Sequence, residues 1–237
     1  MRRLSDKRAV LPLLLLLAPL VARGQPATEQ AATEQAAPQC HLPERIAAAP
    51  CPHSAAPRGA AGDFDFYILS FSWSPAFCAS GAGRRQLDPT QCRDNDFGWV
   101  VHGLWPQYAK SRAAAAGRRA PSWPQYCRPV APVPEPVLRR HLCTLPDPQL
   151  MQCEWARHGS CSDFAGPVAY FSAIERLKAR FTLPAPAGGS KAFIAEILKA
   201  NQGLARDALR VVRRDGQIRE LQLCLSRDLE RTRSCRE

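Results

Sequence analysis

Two apolar stretches in the first half of the chain have the pattern of β-strands. Residues 64–72 form a run rich in aromatic and branched side chains, which is typical of a buried strand, and Pro75 should end it. Residues 97–101 form a second, shorter candidate strand. Gly103 and Pro106 follow it closely, so we expect the chain to turn there.

Two later stretches have the 3.6-residue period of amphipathic helices. The first begins at about Gly166 or Pro167 and ends near Arg180, and a preceding serine or aspartate can cap it. The second begins at Ser190 and should stop at Gly203. Their apolar residues recur on one side, so both helices are expected to face the core.

The C-terminal part alternates apolar and polar residues over residues 209–212 and 217–225, around the turn sequence Arg214-Asp215-Gly216. That pattern predicts a β-hairpin. Residues 109–140 are rich in proline and alanine, so an irregular excursion with one helical turn is expected there. Together the elements predict an α+β fold, a single domain with a central, mainly antiparallel sheet packed with helices.

The N terminus has the organisation of a secretory signal peptide over residues 1–24. Basic residues precede a leucine-dominated apolar run that ends at small residues. The run is shorter than the about 20 residues of a membrane span and contains two prolines, which favours cleavage after Gly24 over an uncleaved anchor. Residues 25–62, rich in Ala, Pro and Gln, should form a flexible segment, and residues 63–237 the folded domain.

Charge and cysteine content narrow the class of protein. The formal net charge is +11, and it falls to +7 without residues 1–24, which carry five Lys or Arg and one Asp. A basic protein suits a polyanionic partner such as RNA, although the same charge also serves ordinary solubility. The ten cysteines follow the signal segment and lack paired Cys-x-x-Cys knuckles, which favours a disulfide scaffold over a structural zinc site.

The residues that can carry chemistry lie in two separate stretches. Residues 154–158 (EWARH) place an acid, a cation and a titratable base three and four positions apart, so on a helix they can point into one small volume. The distant residues 101–106 (VHGLWP) supply a second histidine beside an aromatic side chain. Two histidines can therefore face one substrate.

This arrangement suits phosphoryl transfer within RNA, in which the ribose 2′-hydroxyl attacks its own phosphate. The reaction needs a general base and a general acid, and histidine serves as either because its ordinary pKa of about 6.5 lies near working pH. Arg157 can stabilise the charge that builds on the phosphate oxygens, and Glu154 can orient His158 or hold Arg157. We expect no metal ion and no cofactor.

Both stretches resemble the active-site segments of the ribonuclease T2 family. The segments are HGLWP at residues 102–106 and EWARHGSC at residues 154–161, and their order and separation match as well. Further likeness lies in residues 64–78, which are typical of bacterial members, and in the terminal segment 223–235. The resemblance covers residues 63–237 and implies a secreted, periplasmic or extracellular, monomeric endoribonuclease that cleaves single-stranded RNA and not DNA.

The resemblance also implies a role for each matching residue. The general acid falls on His102, which would protonate the departing 5′-oxygen, and the general base on His158, which would take the 2′-hydroxyl proton. The product would be a 2′,3′-cyclic phosphate, later hydrolysed to a 3′-phosphate. Glu154 falls on the transition-state acid, Trp105 on a residue implied to stack on a base, and Gln107 on a position that tunes base choice. Because stacking tolerates any base, broad specificity is expected.

Two positions depart from the family pattern. Arg157 stands where the family has a lysine, which keeps the charge and changes its reach and geometry. Cys153 stands where many members carry a third histidine, and a sulfur does not bind phosphate as a cation does. We therefore expect weaker substrate binding with the chemistry retained.

The ten cysteines should form five disulfides. The resemblance favours three of them: Cys78–Cys92, Cys224–Cys235 and Cys127–Cys161. A local Cys40–Cys51 bridge would close a short loop and leave Cys143–Cys153, although the sequence alone permits other pairings among the cysteines at 127, 143, 153 and 161.

Other interpretations of these residues exist. His102 could be a hydrogen-bonded core histidine, Trp105 a core residue, and Glu154 with Arg157 an ordinary surface pair. The rival function is a secreted basic module that retains the fold and binds RNA or another polyanion without cleaving it. A paired acid and base argue against that rival, because a binding module needs neither.

Overall fold

The computed structural model describes residues 40–51, 57–85, 89–110, 112 and 123–236. These belong to one unit, Ala36–Glu237. The predicted signal peptide, residues 25–39 and part of the irregular excursion predicted for residues 109–140 lie outside the described residues. Within the described part, no helix is long and apolar enough to cross a membrane.

A four-stranded antiparallel sheet forms the centre of the fold, in the order β2-β1-β4-β3. Its strands are β1 (Phe66–Trp73), β2 (Trp99–Gln107), β3 (Leu209–Arg214) and β4 (Gln217–Ser226). β3 and β4 form the predicted hairpin. Asp215 and Gly216 both have positive φ angles, as in the two-residue turns whose backbone twist matches that of the flanking strands. The α+β fold with a central antiparallel sheet is therefore confirmed.

The second strand is longer than its sequence suggested. We expected Gly103 and Pro106 to turn the chain, and both instead lie inside β2. Proline is tolerated there because β2 is an edge strand, bonded within the sheet to β1 alone. A register shift, in which Ser70 pairs with Gly103 and Phe71 with Val101, leaves His102 as the extra residue of a β-bulge.

Two short helices, α1 (Ser74–Cys78) and α2 (Gly81–Arg84), follow β1. The helices α3 (Glu135–His141), α4 (Pro148–Arg157), α5 (Pro167–Ala179) and α6 (Ser190–Ala200) cover one face of the sheet and build the main core with it. Tyr67, Leu69 and Phe71 of β1 point into this core, together with Phe171 and Ile197 of the helices. Ile68, Ser70 and Ser72 of β1 therefore lie on the opposite face.

Two helical details differ from expectation. The N-cap of α5 is Gly166 without a side-chain bond, because Asp163 pairs instead with Arg227 at 2.9 Å and Ser162 donates to the carbonyl of Gly159 at 2.6 Å. The region expected to hold one helical turn contains the seven-residue α3.

Five disulfides join the described cysteines, and two of them correct the sequence-based pairing. The bonds Cys78–Cys92, Cys127–Cys161 and Cys224–Cys235 are as the resemblance implied. The expected Cys40–Cys51 and Cys143–Cys153 bonds are wrong, because the structure pairs Cys40 with Cys143 and Cys51 with Cys153.

The reason is the path of residues 40–51. This segment runs along α3 and α4 instead of folding back on itself: Ala49 exchanges two hydrogen bonds with the side chain of Gln149, and Arg139 donates to the carbonyl of Glu44. Ile46 is buried in the main core. Because the segment is extended, its two cysteines lie too far apart to bond to each other and reach different partners. The folded part of the chain therefore includes residues before position 63.

Candidate active site

The end of α4 brings the acid and the second histidine into place. Asp147 caps the helix by accepting a hydrogen bond from the backbone N–H of Leu150 at 3.0 Å, and the helix ends at Arg157. Glu154 therefore lies in its last turn and His158 in its C-cap. A 3₁₀ turn, Gly159–Cys161, follows and is fastened by the Cys127–Cys161 disulfide.

The bulge in β2 places the first histidine. Val101 and Leu104 both point into the main core, although they are three residues apart in a strand. The extra residue makes this possible, because it restores the alternation one position later. As a result His102 and Trp105 share the opposite face of the sheet.

Gly103 lets the helix approach the strand closely. A Cβ at this position would lie 2.0 Å from Oε2 of Glu154 and 2.3 Å from Nε1 of Trp105. With no side chain there, the Glu154 carboxylate reaches over the strand and accepts a hydrogen bond of 2.6 Å from the indole N–H of Trp105. The glycine that was expected to turn the chain thus makes room for the site.

Four of the residues singled out from the sequence meet in one cluster. Oε1 of Glu154 lies 3.8 Å from Nε2 of His102. The ring of Trp105 lies beside both histidines, with centroid distances of 5.1 Å to His102 and 5.5 Å to His158. Glu154 and His158 are buried, whereas 31% of the His102 side chain is exposed.

Two other sequence-based candidates lie outside this cluster. Arg157 is exposed, and its Nε donates to Oε1 of Gln125 at 3.1 Å. Gln107 is buried at the far end of β2, where its amide donates to the carbonyl of Pro106 at 2.9 Å. Among the described residues, no contact joins Gln107 to either histidine.

Glu220 is a site residue that the sequence did not reveal. Its Oε1 lies 2.9 Å from Nδ1 of His102, and its Oε2 accepts hydrogen bonds from Ser70 at 3.4 Å and Gln222 at 3.2 Å. β1 separates the strands of His102 and Glu220, and the two side chains meet above it because Ser70 and Ser72 are small. The alternating pattern of β4 indicates that Glu220 lies on the polar face of the sheet. Only the strand order shows that this face brings it to His102.

The surroundings push the pKa values of the two histidines in opposite directions. Burial lowers the pKa of His102, but the hydrogen bond to Glu220 and the charges of Glu154 and Glu220 outweigh it, so the pKa is raised above its ordinary value. Burial, followed by the positive charges of Arg157 and His102, holds the pKa of His158 well below its ordinary value. One ring is therefore protonated under conditions that keep the other neutral.

The two carboxyl groups also differ. Burial raises the pKa of Glu154, against the opposing effects of His102 and the Trp105 hydrogen bond. For Glu220, burial is outweighed by the hydrogen bond and charge of His102, and the pKa is lowered. A carboxylate only accepts hydrogen bonds, so Glu220 holds Nδ1 of His102 as the donor and leaves Nε2, on the side of Glu154, for proton transfer.

Comparison with known proteins places this geometry in a family. The sequence profile of the Ribonuclease T2 family matches residues 64–186, which include both histidine segments. A probable ribonuclease of Haemophilus influenzae is 36% identical over 152 residues, which cover 61% of this chain and 47% of that protein. Ribonuclease I of Escherichia coli K12 is 33% identical over 147 residues, which cover 49% of this chain and 53% of that protein. This chain thus spans about half the length of these curated relatives.

Solved structures share the fold at lower sequence identity. An RNase-related protein from Calystegia sepium aligns with a TM-score of 0.56 at 20% identity, over 73% of this chain and 91% of that one. RNase NT in complex with 5′-AMP aligns with a TM-score of 0.55 at 22% identity, over 74% and 92%. Because the family match spans more than half of the chain and contains both halves of the histidine cluster, this protein belongs to the ribonuclease T2 family.

Proposed function

We propose that this protein is a secreted endoribonuclease that cleaves single-stranded RNA by general acid and base catalysis. The observation that carries the proposal is the pair of histidines in one cluster with oppositely shifted pKa values, His102 raised and His158 lowered. A protein that only binds RNA gains nothing from such a pair. A transphosphorylating enzyme needs one neutral and one protonated imidazole at the same pH.

The two histidines divide the proton transfers. Neutral His158 takes the proton of the ribose 2′-hydroxyl as its oxygen forms a bond to phosphorus. Protonated His102 gives its Nε2 proton to the 5′-oxygen as the bond between that oxygen and phosphorus breaks. The first product ends in a 2′,3′-cyclic phosphate, and water then opens the ring to a 3′-phosphate by the same groups acting in reverse.

Glu154 and Arg157 serve the phosphoryl group. Glu154 is fixed by the Trp105 indole beside Nε2 of His102, where a carboxyl group with a raised pKa can hydrogen-bond a phosphate oxygen. Arg157 supplies a permanent positive charge from the adjoining helix end. Cys153, in place of a further histidine, is engaged in a disulfide with Cys51 and adds no charge.

Base binding falls to Trp105, whose ring is only partly buried. Stacking on an indole face does not distinguish between bases, which supports broad specificity. RNase NT, which shares this fold, was solved with the nucleotide 5′-AMP. For Gln107 to influence base choice, the base stacked on Trp105 has to extend to the end of β2, where Gln107 is buried.

The disulfides and the predicted signal peptide support export. Ten cysteines paired in five bonds require an oxidising compartment such as the periplasm or the extracellular space. The curated bacterial relatives are named as ribonucleases, in keeping with an RNA substrate.

The test is incubation of the purified, oxidised protein with RNA in the presence of EDTA. We expect cleavage with 2′,3′-cyclic phosphate ends appearing before 3′-phosphates, and no cleavage of DNA, which lacks the attacking hydroxyl. His102→Ala and His158→Ala should each lower kcat by about 10² to 10⁴-fold. Folded protein that binds RNA and leaves it intact would establish the non-catalytic rival instead.

A further inference from the structure

A long groove leads away from His102 on the open face of the sheet. Its volume is about 1140 Å³, and it begins at His102 and Glu220 and extends to the turn of the β3–β4 hairpin. α1 and α2 form one wall and the hairpin forms the other. Arg219 links the walls by donating to the carbonyl of Ala76 in α1.

The groove is rich in arginine. Five arginines line it: Arg84, Arg85, Arg213, Arg214 and Arg219. Their charge exceeds that of the lining carboxylates, which are Asp147, Asp215 and Glu220. A concave surface of this sign attracts a polyanion.

Each carboxylate in the groove already has a partner within the protein. Asp147 caps α4, Asp215 lies 3.5 Å from Arg219, and Glu220 holds His102. Asp215 and Glu220 therefore compensate the charges of Arg219 and His102, and the Asp147 carboxylate is held at the start of α4. The other four arginines remain available to a ligand.

The remaining four arginines keep their charge available. Arg84 and Arg213 donate to the neutral carbonyls of Ala79 and Gly216, which leaves the guanidinium charge uncompensated. Within the part of the chain that the structure describes, neither these two nor Arg85 and Arg214 form an ion pair. All four are exposed.

The groove lies on one side of the reacting centre. His102 lines it, whereas His158 and Trp105 do not. Along β4, Gln217 is three residues from Glu220, a distance of about 10 Å at roughly 3.3 Å per residue. Arg214 pairs with Gln217 across the hairpin, so the arginine end of the groove is well separated from the phosphate at His102.

We propose that this groove binds the RNA strand on the 3′ side of the scissile phosphate. The inference rests on the proposed acid and base roles. The group that His102 protonates is the 5′-oxygen of the departing nucleotide, and that nucleotide begins the 3′ portion of the strand. The strand therefore runs from Trp105 and His158, past His102, into the groove, where the arginines contact the downstream phosphates.

Three of the five groove arginines lie outside the part of the chain that matches the family profile. Arg213, Arg214 and Arg219 lie after residue 186, where the family profile ends. Many family members carry a histidine where this chain has Cys153. Contacts between the arginines and the downstream phosphates would replace the phosphate contact that this histidine makes. Binding energy for the substrate then comes from the strand as a whole and less from the reacting phosphate.

The experiment uses DNA oligonucleotides that contain one ribonucleotide, so that each can be cut at a single bond. One set extends the strand by several deoxynucleotides on the 3′ side of that bond, a second set extends it on the 5′ side, and a ribodinucleotide has neither extension. The test variant is Arg85→Gln/Arg214→Gln. The control is Arg176→Gln/Arg206→Gln, which removes the same charge at two exposed arginines that do not line the groove.

We expect the test variant to lose at least about tenfold in kcat/KM on the 3′-extended substrate at low salt. The slope of log(kcat/KM) against log salt should flatten by about 1.4, since each single-strand phosphate contact contributes about 0.7. Cleavage of the 5′-extended substrate and the dinucleotide should match that of the control variant.

Three outcomes would overturn the inference. Equal losses on both extended substrates would refute the strand direction, and a loss confined to the 5′-extended one would reverse it. A test variant that behaves like the control on every substrate would show that RNA does not enter the groove. In each of these cases the wild-type protein still cleaves the dinucleotide, whereas a wild-type protein that leaves it intact would refute the proposed function itself.

Discussion

Nδ1 of His102 and Oε1 of Glu220 lie 2.9 Å apart, although the two residues are separated by 118 positions in the chain. The carboxylate has a lowered pKa and the imidazole a raised one, so each stabilises the charged form of the other. The contact also holds one ring nitrogen as a donor and keeps the other directed at Glu154. Glu220 is thus a positioning residue for the proposed acid.

Replacing Glu220 by glutamine should shift the alkaline limb of the pH profile. In the proposed mechanism the acid works only while His102 is protonated, so activity should be lost as pH rises through its raised pKa. Without the carboxylate charge that pKa falls, and the limb should move to lower pH. The measurement is kcat/KM against pH. Glu230→Gln, at an exposed carboxylate, should leave the limb in place, and an unmoved limb in the Glu220 variant would contradict the assignment.

Replacing Arg157 by alanine should shift the acidic limb instead. In the proposed mechanism the base works only while His158 is neutral, so activity should be lost as pH falls through its lowered pKa. Arg157 helps to lower that pKa, and its removal should move the acidic limb to higher pH. The shift should be smaller than that of the Glu220 variant, because Arg157 is exposed and solvent screens its charge. Arg157→Lys retains the charge and should retain the limb, so equal shifts in both variants would argue against a charge effect.

Gly103→Ala should damage the site and the fold together. The new Cβ would overlap Oε2 of Glu154 and Nε1 of Trp105, so the hydrogen bond between them has to give way. We expect a loss of about 1–3 kcal/mol in the free energy of unfolding and a fall in kcat. Gly166→Ala is the matched control, since nothing lies within 4 Å of its added Cβ and its backbone is extended. A Gly103 variant as stable and active as this control would refute the close approach.

Ile46→Ala tests whether residues 40–51 belong to the folded domain. Ile46 is 5% exposed and packs in the main core, so its truncation should cost about 2–4 kcal/mol in the free energy of unfolding. Leu42, in the same segment, is 39% exposed, and Leu42→Ala should change stability by less than about 0.5 kcal/mol. Denaturant unfolding of the oxidised proteins measures both. Equal, small effects would mean that the disulfides alone hold the segment.

Local patterns predicted most of the elements, because strands and helices are specified by periodicity and turn residues. The hairpin around Asp215 and Gly216 and the helix beginning at Ser190 lie where the sequence placed them. Gly103 and Pro106 misled the same reasoning. Both residues favour turns, yet both lie within the edge strand β2. Pro106 breaks no hydrogen bond of the sheet there, and Gly103 makes room for Glu154.

The remaining features depend on contacts between distant parts of the chain. Glu220 acquires a role only through the strand order that brings β4 beside β1 and close to His102. The bonding of Cys40 and Cys51 likewise depends on the path of the segment between them, which no spacing rule records. Both follow from tertiary packing, which has no local pattern in sequence.

The position of the C-terminal hairpin links catalysis to the completion of folding. β4 pairs with β1 only after residues 217–226 have been made, and Glu220 comes into place with it. A nascent or truncated chain ending before residue 217 would contain both histidines, yet His102, the proposed acid, would lack the carboxylate that raises its pKa. In the proposed mechanism, full activity therefore requires that β4 has paired with β1, and an incompletely folded chain would be a poor catalyst.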